Sequence, residues 1–301
     1  MNSSEKLPVH VFFRHGARGV SRGALDPFTD TAVAEEWHDD SLEKVTPLGL
    51  EQCKHVGKHI GQVLMQGKET PVIWHSSKVN RVVNSGRSFL QGLREVGCVN
   101  DVPDEPTLID TSIDPDHFYR GYLHNKQYKA AADELRHGPI FQAHAKEHKK
   151  LLDRLEPSLE QLDLAKKLNV TTYFEEIFEC EKFWRGPPKS KLLADMNHDI
   201  KDQISSLGRW CWDQRFFKLP ESRTLGEPLI ELVKKPPVVE DGTVFVHSCH
   251  DYTIMSLLST LGQENYPDHT MGYAAYMIIE NGHVTVNPIP FPDPDSFSIC
   301  Q

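Results

Sequence analysis

The stretch VHVFFRHGARG, residues 9 to 19, is a short apolar run that ends abruptly in a group of cations. Its first half is rich in β-branched and aromatic residues, which predicts a buried strand. Arg14, His15 and Arg18 then follow within the segment RHGAR, where like charges repel one another. An anionic ligand bound at this strand end would offset that repulsion.

The composition excludes several classes of protein. The chain has 301 residues, 39% of them hydrophobic and 25% charged, which suits one large domain or a domain with an inserted lobe. A net charge of −10 argues against a nucleic-acid partner, because such proteins usually carry a basic surface. No stretch approaches the roughly 20 apolar residues that a membrane span needs. The first residues lack the apolar segment of a signal peptide, which favours a cytoplasmic protein as the sequence is written.

Strand-like and helix-like segments alternate along both ends of the chain. Further strand-like runs lie at 71–75, 242–247, 273–280 and 283–286. Helical patterns begin at Thr46-Pro47, near Val79 and after Asp251. This alternation predicts an α/β fold whose central sheet is mostly parallel and flanked by helices. The dipeptide Asn281-Gly282 between the last two runs predicts a β-hairpin.

The middle of the chain has little strand character. Residues 115–235 are rich in Lys, Glu, Leu and His, and contain helical stretches at 140–155 and 159–168. We therefore predict an α/β core formed by residues 1–114 and 236–301. Residues 115–235 would form a smaller helical lobe inserted into that core.

Three predicted strands end in chemically unusual residues, and ligands of open α/β sheets bind at the carboxyl ends of strands. The first strand is followed by the cations named above, the second by Ser76, Ser77 and Arg81, and the third by His250-Asp251. A guanidinium group donates two parallel hydrogen bonds to phosphate oxygens and stays charged at physiological pH. Three arginines at neighbouring strand ends therefore indicate a phosphate site.

Together these motifs resemble the histidine acid phosphatases, a branch of the histidine phosphatase superfamily. The family motif Arg-His-Gly-x-Arg-x-Pro is matched by Arg14, His15, Gly16 and Arg18, although Val20 occupies the proline position. The Ser-rich strand end before Arg81 and the His250-Asp251 pair are similar to the family's other two motifs. The resemblance implies a phosphoglycerate mutase-like α/β fold with an inserted helical lobe.

The resemblance also implies a reaction and a role for each site residue. His15 would attack phosphorus and form a phosphohistidine, and Asp251 would donate a proton to the leaving group. Phosphate would be bound by Arg14, Arg18, Arg81 and His250. No metal and no other cofactor is implied, and a protonated Asp251 would give an acidic pH optimum. Members of this family are often secreted or lysosomal, which would apply if the chain is a mature form.

The sequence leaves the substrate and several alternatives open. Small-molecule phosphomonoesters of lipids, sugars or inositols present the same phosphate group, although the negative net charge argues against phytate. A phosphoryl mutase, a phosphate-binding module without activity and an interaction protein are the rival hypotheses. Retention of both His15 and Asp251 argues against the second of these. The oligomeric state stays open.

Other polar residues give weaker predictions. His144 and His148 are spaced as on one helix face, but a third metal ligand is missing, which favours a solvated surface. Asp116, His117 and Tyr119 are candidates for contacting the substrate from the lobe.

Overall fold

The fold was analysed in a computed structural model, which describes residues 8–25, 27, 42–110, 112–155, 159, 162–183, 196–263 and 271–287. The chain divides into two compact units. The first consists of residues 1–17, 45–124 and 223–301, and the second of residues 18–44 and 125–222. Among the described residues, no helix is both long and apolar enough to cross a membrane.

The units do not follow the predicted boundaries at residues 115 and 235. Residues 115–124 and 223–235 belong to the first unit, whereas residues 18–44 belong to the second. Residues 115–124 join the first unit because Asp116 and Tyr119 are buried there and bond to Ser77 and His247. The segment 18–44 joins the second unit because Arg18 and Ser21 bond to Glu176.

A five-stranded mixed sheet forms the centre of the first unit. Its strands are β1 (Val9–Arg14), β2 (Val72–Ser76), β3 (Val244–Cys249), β4 (Tyr276–Glu280) and β5 (His283–Asn287). They lie in the order β2-β3-β1-β4-β5. β1, β2 and β3 are parallel, while β4 and β5 join in antiparallel pairs, so the α/β prediction is confirmed with a mixed sheet.

The helices of the first unit follow these strands. They are α2 (Pro47–Val63), α3 (Asn80–Glu95), α4 (Asp116–Tyr119), α5 (Gly121–His124), α11 (Glu227–Lys234) and α12 (Asp251–Thr260). α2 and α3 pack on each other, and Cys53, Val56, Phe89 and Leu93 bury their side chains with the sheet residues Val11 and Val246. This apolar layer supports the strands whose ends carry the polar motifs.

Local sequence explains two features of this unit well. Thr46 caps α2, as predicted, because its hydroxyl accepts a hydrogen bond from the Gly49 amide at 3.0 Å, and Pro47 occupies the first helical turn. Asn281 and Gly282 connect β4 to β5 with φ values of 49° and 79°. Two consecutive positive φ values are typical of the type I′ hairpin turn that this dipeptide favours.

The second unit is helical. It contains α1 (Arg22–Leu25), α6 (Lys126–His137), α7 (Pro139–Glu147), α8 (Lys149–Leu152), α9 (Leu164–Lys182) and α10 (His198–Asp213). A π-helical turn over Gln214–Lys218 follows α10, and a 3-10 turn covers Pro220–Thr224. The side chains of Phe141, Phe174, Ile177 and Ile204 form part of its buried interior.

Two predicted helices have other boundaries in the structure. The stretch 140–155 divides into α7 and α8, since His148 leaves the helical conformation between them with φ −96° and ψ 15°. The stretch 159–168 is replaced by α9, which begins only at Leu164. Asp163 explains this start, because its side chain accepts a hydrogen bond from the Lys166 amide and so caps the helix.

Candidate active site

The ends of the three parallel strands lie side by side in the first unit. The His15 amide donates to the Cys249 carbonyl at 3.0 Å, and the Ser77 amide donates to the Ser248 carbonyl at 3.2 Å. These main-chain bonds join the segments that follow β1, β2 and β3. The structure therefore brings the predicted site residues Arg14, His15 and Arg81 together with His250 and Asp251.

The His15 ring has a defined tautomer. Its Nδ1 atom is 2.9 Å from the Gly16 carbonyl oxygen, and because a carbonyl only accepts, Nδ1 carries the hydrogen. In the neutral ring the lone pair is then on Nε2. Arg81 Nε lies 3.4 Å from that atom and donates to it. The ring is buried, so it presents one nucleophilic nitrogen beside a fixed cation.

Gly16 is required for the close approach of this loop to α2. A Cβ atom at Gly16 would lie 1.9 Å from the Gly49 carbonyl oxygen, far inside van der Waals contact. The Gly16 amide also donates to Ser85 Oγ at 3.1 Å, and that hydroxyl donates to the Arg81 carbonyl at 2.7 Å. The nucleophile loop is thus held against both α2 and α3.

Arg14 connects β1 to the start of α12. Its Nη2 atom is 2.9 Å from Asp251 Oδ2, and its guanidinium also donates to the Met271 carbonyl. The guanidinium carbon lies 4.2 Å from the centre of the Tyr273 ring, within cation–π distance. Arg14 is buried whereas the Asp251 side chain is 28% exposed. Asp251 is therefore the ion-paired group that solvent or a substrate can reach.

His250 occupies the N-cap position of α12 and lies next to His15. The two ring centres are 5.6 Å apart with nearly perpendicular planes. His250 Nε2 is 3.1 Å from Ser77 Oγ, and Ser77 Oγ donates to Asp116 Oδ1 at 2.8 Å. On its other side the His250 ring stacks on Tyr252 with 4.7 Å between ring centres.

Arg18 belongs to the second unit. Its Nη1 atom is 2.9 Å from Glu176 Oε1 and also donates to the Gly19 carbonyl at 2.8 Å. Burial by itself would raise the pKa of Glu176, but Arg18 and hydrogen bonds from Ser21 lower that pKa below its ordinary value. The structure thus places Arg18 in an ion pair, and its role in phosphate binding stays a prediction.

Asp116 and Tyr119 lie in the first unit rather than in the helical lobe, and their predicted contact with a substrate stays a prediction. Both are buried in the first unit, where Asp116 bonds to Ser77 and the Tyr119 hydroxyl lies 2.9 Å from His247 Nδ1. His117, by contrast, is exposed and stacks on His124 at 4.1 Å. The only hint of the bond between Ser77 and Asp116 in the sequence was the serine pair after β2. Asp116 lies 39 positions further along the chain.

Comparisons with known proteins identify the fold but not a sequence family. No protein-family model matches the chain, and no curated protein sequence matches it. Solved structures do: a Klebsiella phytase has a TM-score of 0.66 and 13% identity, covering 92% of this chain and 79% of the phytase. Hafnia alvei phytase in complex with myo-inositol hexakis sulphate has a TM-score of 0.65 and 17% identity, covering 95% and 85%.

A third solved structure with a similar fold is that of an inositol polyphosphate phosphatase. The multiple inositol polyphosphate phosphatase of Bifidobacterium longum, in complex with inositol hexasulfate, has a TM-score of 0.53 and 12% identity. The match covers 95% of this chain and 89% of that protein. The chain therefore shares the fold of phytases, and the predicted resemblance to histidine acid phosphatases is confirmed at the level of the fold.

Proposed function

We propose that this protein is a phosphatase that hydrolyses phosphate monoesters through a phosphohistidine on His15. The observation that carries the proposal is the geometry of the His15 ring. Its Nδ1–H is bonded to the Gly16 carbonyl, so the neutral ring has its lone pair on Nε2, beside the Arg81 guanidinium. A phosphate bound by these cations would place its phosphorus next to a nucleophilic nitrogen.

The first step transfers the phosphoryl group to the protein. His15 Nε2 attacks phosphorus in line, the Nε2–P bond forms, and the P–O bond to the leaving group breaks. The Asp251 carboxyl gives its proton to the leaving oxygen. Positive groups around the three equatorial oxygens offset the charge of the transition state.

The second step returns the protein to its starting state. Asp251, now a carboxylate, takes a proton from water while that water attacks phosphorus. The P–Nε2 bond breaks and inorganic phosphate is released. The position of Asp251 supports these roles, because it is a partly exposed carboxylate that pairs with the buried Arg14.

Phosphate binding is assigned to Arg14, Arg18, Arg81 and His250. An incoming phosphate dianion competes with the Asp251 carboxylate for Arg14, whose Nη2 is 2.9 Å from Asp251 Oδ2 in the structure. For Arg18, whose guanidinium pairs with Glu176 within the second unit, the assignment rests on the RHGAR motif of the sequence alone.

The substrate class is a small-molecule phosphomonoester. Two of the proteins with the same fold were solved with inositol hexasulfate or myo-inositol hexakis sulphate, which makes inositol phosphates the first class to test. Lipid and sugar phosphates belong in the same panel, since the reacting phosphate group is common to all of them.

The test is hydrolysis of p-nitrophenyl phosphate between about pH 4 and about pH 8 by wild type, His15→Ala and Asp251→Asn. The exposed His283 on β5 supplies a matched control, His283→Ala. We expect wild type and the control to release inorganic phosphate fastest at acidic pH, and His15→Ala to be inactive. A chelator should leave the rate unchanged, because arginine and histidine groups supply the positive charge.

Two outcomes would contradict the proposal. Activity of His15→Ala equal to wild type would exclude His15 as the nucleophile. Phosphate binding by wild type without hydrolysis at any pH would indicate a binding module. Asp251→Asn gives a further check: it should slow alkyl phosphates more than p-nitrophenyl phosphate, since nitrophenolate leaves without a proton.

A further inference from the structure

Two histidines and a glutamate lie together at the end of α7, in the second unit. They are His144, Glu147 and His148, which we call the α7 cluster, and their spacing places them on one face of the helix. One ligand atom of each residue lies within 4.8 Å of those of the other two. We propose that the α7 cluster binds a divalent transition-metal ion such as Zn²⁺. This inference goes beyond the proposed function, because no residue assigned to the reaction belongs to the cluster.

The distances within the α7 cluster suit a zinc ion. Zn²⁺ binds histidine nitrogen and carboxylate oxygen at about 2.0–2.2 Å, so two ligand atoms of a tetrahedral ion lie roughly 3.3–3.6 Å apart. His144 Nδ1 and Glu147 Oε2 are 3.5 Å apart, and the His144 and His148 rings are in edge contact with 4.6 Å between centres. The Glu147 side chain is 71% exposed, so it can change its torsions to complete the site. Glu147 is the third ligand that the sequence pattern had lacked.

Main-chain hydrogen bonds hold the two histidines one turn apart. The His148 amide donates to the His144 carbonyl at 3.1 Å, although α7 ends at this residue with φ −96° and ψ 15°. The His148 carbonyl accepts hydrogen bonds from the amides of Leu151 and Leu152, at 3.0 Å and 3.1 Å. The backbone of His148 is therefore fixed from both sides, and binding an ion would add little cost in backbone entropy.

Trp210 on α10 orients one of the ligands. Its ring stacks on the His144 ring with 3.9 Å between centres and 22° between planes. Trp210 also contacts the buried Phe141, with 5.0 Å between ring centres. A histidine nitrogen binds a metal ion in the plane of its ring, whereas stacking covers the face, so both contacts can exist at once. The packing reduces the rotamer freedom that His144 would lose when an ion binds.

The donor atoms and the neighbouring charges determine which ions the α7 cluster favours. Mg²⁺ and Ca²⁺ take shells of oxygen ligands, and the cluster offers a single carboxylate. Two imidazoles and one carboxylate suit Zn²⁺ and related transition-metal ions, with water in the fourth position. Lys146, Lys149 and Lys150 are exposed nearby, and the Lys149 ammonium group pairs with Asp153. These cations further disfavour ions that bind mainly through charge.

Another histidine pair in the chain has the same spacing and serves as a comparison. His55 and His59 are four positions apart on α2, but Lys58 occupies the position that corresponds to Glu147. Lys58 Nζ pairs with Glu95 Oε2 at 2.5 Å. An ammonium group has no lone pair for a metal ion and repels it. The pair on α2 should therefore not form an equivalent site.

Isothermal titration calorimetry with Zn²⁺ tests the proposal on the full chain without a histidine tag, after chelator treatment and dialysis. Wild type is compared with His148→Gln and Glu147→Gln, which each remove one ligand. His59→Gln is the matched control, because it removes a histidine from the pair on α2. The chain has 16 histidines, so the difference between the variants and wild type, rather than the total heat, measures binding at the site.

We expect wild type and His59→Gln to bind one Zn²⁺ ion in a saturable step. His148→Gln and Glu147→Gln should weaken that step by more than about tenfold, since two protein ligands remain. Glu147→Lys, which reproduces the pattern of α2, should abolish it. An excess of Mg²⁺ should not compete, because the site lacks the oxygen ligands that this ion requires.

Thermal unfolding gives a second measurement and shows whether the variants fold. A ligand that binds only the folded state raises the midpoint as its concentration increases. Zinc should therefore raise the midpoint of wild type and of His59→Gln, and should leave those of His148→Gln and Glu147→Gln unchanged. Without metal, all four proteins should unfold at similar temperatures, because the replaced side chains are at least partly exposed.

Three results would overturn the site. Wild type that binds no Zn²⁺ in a saturable step would exclude it, as would His148→Gln and Glu147→Gln that bind as tightly as wild type. A loss in His59→Gln equal to that in His148→Gln would assign the binding to other histidines. Neither measurement depends on hydrolysis, so failure of the phosphatase proposal would leave this inference standing, and the reverse also holds.

Discussion

Two pairs of histidines on the same strands are all buried but have different neighbours. His10 and His247 lie inside β1 and β3, whereas His15 and His250 follow the ends of those strands. The inner pair is fully buried and bonded ring to ring, with 3.0 Å between His10 Nδ1 and His247 Nε2. In the outer pair, His15 Nε2 lies 3.4 Å from Arg81 Nε, and His250 directly precedes Asp251, which pairs with Arg14.

Burial determines the protonation of the inner histidines. His10 stacks on Phe245 and His247 on Phe12, with 4.7 Å and 4.2 Å between ring centres. Burial, together with His75, lowers the pKa of His10 to about 4, and burial followed by His10 and His75 holds the pKa of His247 well below its ordinary value. These rings are therefore neutral structural groups. The comparison indicates that position relative to the strand end, rather than residue type, distinguishes the histidines proposed for the reaction from those that only stabilise the fold.

Substitution in each set should give opposite phenotypes, and this is the largest effect that we expect. His15→Ala should reduce kcat/KM by more than about 1,000-fold with little change in stability, because it removes the nucleophile. His247→Phe should cost about 1–3 kcal/mol for each polar group left unpaired, with Tyr119 and His10 losing a partner. Urea unfolding and phosphate release measure the two quantities. The distinction would be wrong if both variants lost stability and neither lost activity.

Gly16→Ala should disturb the position of the outer histidines, His15 and His250, and leave the inner pair unchanged. The added methyl group would lie 1.9 Å from the Gly49 carbonyl, so the loop carrying His15 must move. A displacement of about 1 Å at the nucleophile can cost roughly 100-fold in rate. Gly23→Ala is the matched control, since nothing lies within 4 Å of its new methyl group. Steady-state kinetics that are equal for the two variants would contradict the required close approach.

The inner set should make the protein sensitive to acid. The unfolded chain binds protons at His10 with the ordinary pKa of 6.5, whereas the folded protein holds that pKa at about 4. The unfolded state therefore binds more protons between these values, and stability falls as pH falls from 6.5 toward 4. The loss from His10 is on the order of 3 kcal/mol.

Unfolding by urea at several pH values measures this dependence, and His10→Leu should flatten it. The reduction would appear as a smaller difference between the midpoints at neutral and acidic pH. A variant with the same pH dependence as wild type would show that His10 titrates normally in the folded protein. Activity measured at acidic pH must be compared with this pH dependence of stability, because unfolding also lowers the activity there.

Gly282→Ala should have the smallest effect and should leave both histidine sets unchanged. Gly282 has φ 79° at the turn between β4 and β5, a conformation that costs an alanine about 1 kcal/mol. Thermal unfolding should show a slightly lower midpoint, with unchanged kcat/KM and unchanged acid dependence of stability. A change in either of the last two would mean that the β4–β5 hairpin influences the site.

Much of the local structure was predictable from neighbouring residues. The start of α2 at Thr46-Pro47 and the turn at Asn281-Gly282 depend on interactions within about four residues, which the sequence displays directly. The start of α9 was predicted too early, and the reason is again local. The capping residue Asp163 is preceded by a helix-like run, which the prediction included in the helix. Such errors concern element boundaries rather than element type.

The sequence located the residues that meet at the strand ends, but it did not reveal their hydrogen-bond partners. His15, Arg81 and His250 could be found because each follows a predicted strand end in a recognisable motif. Asp116 could not be assigned, because its link to His250 runs through Ser77 and joins three separate segments. Glu176 likewise lies 158 positions from its partner Arg18.

By itself the sequence determined the α/β class, the helix caps and turns, and the identity of the groups that meet at the strand ends. Only the tertiary structure decided the strand order β2-β3-β1-β4-β5, the tautomer of His15 and the neutral state of His10. The physical reason is range. Caps and turns depend on bonds between near neighbours, whereas tautomer and protonation depend on burial and on partners that approach from distant parts of the chain.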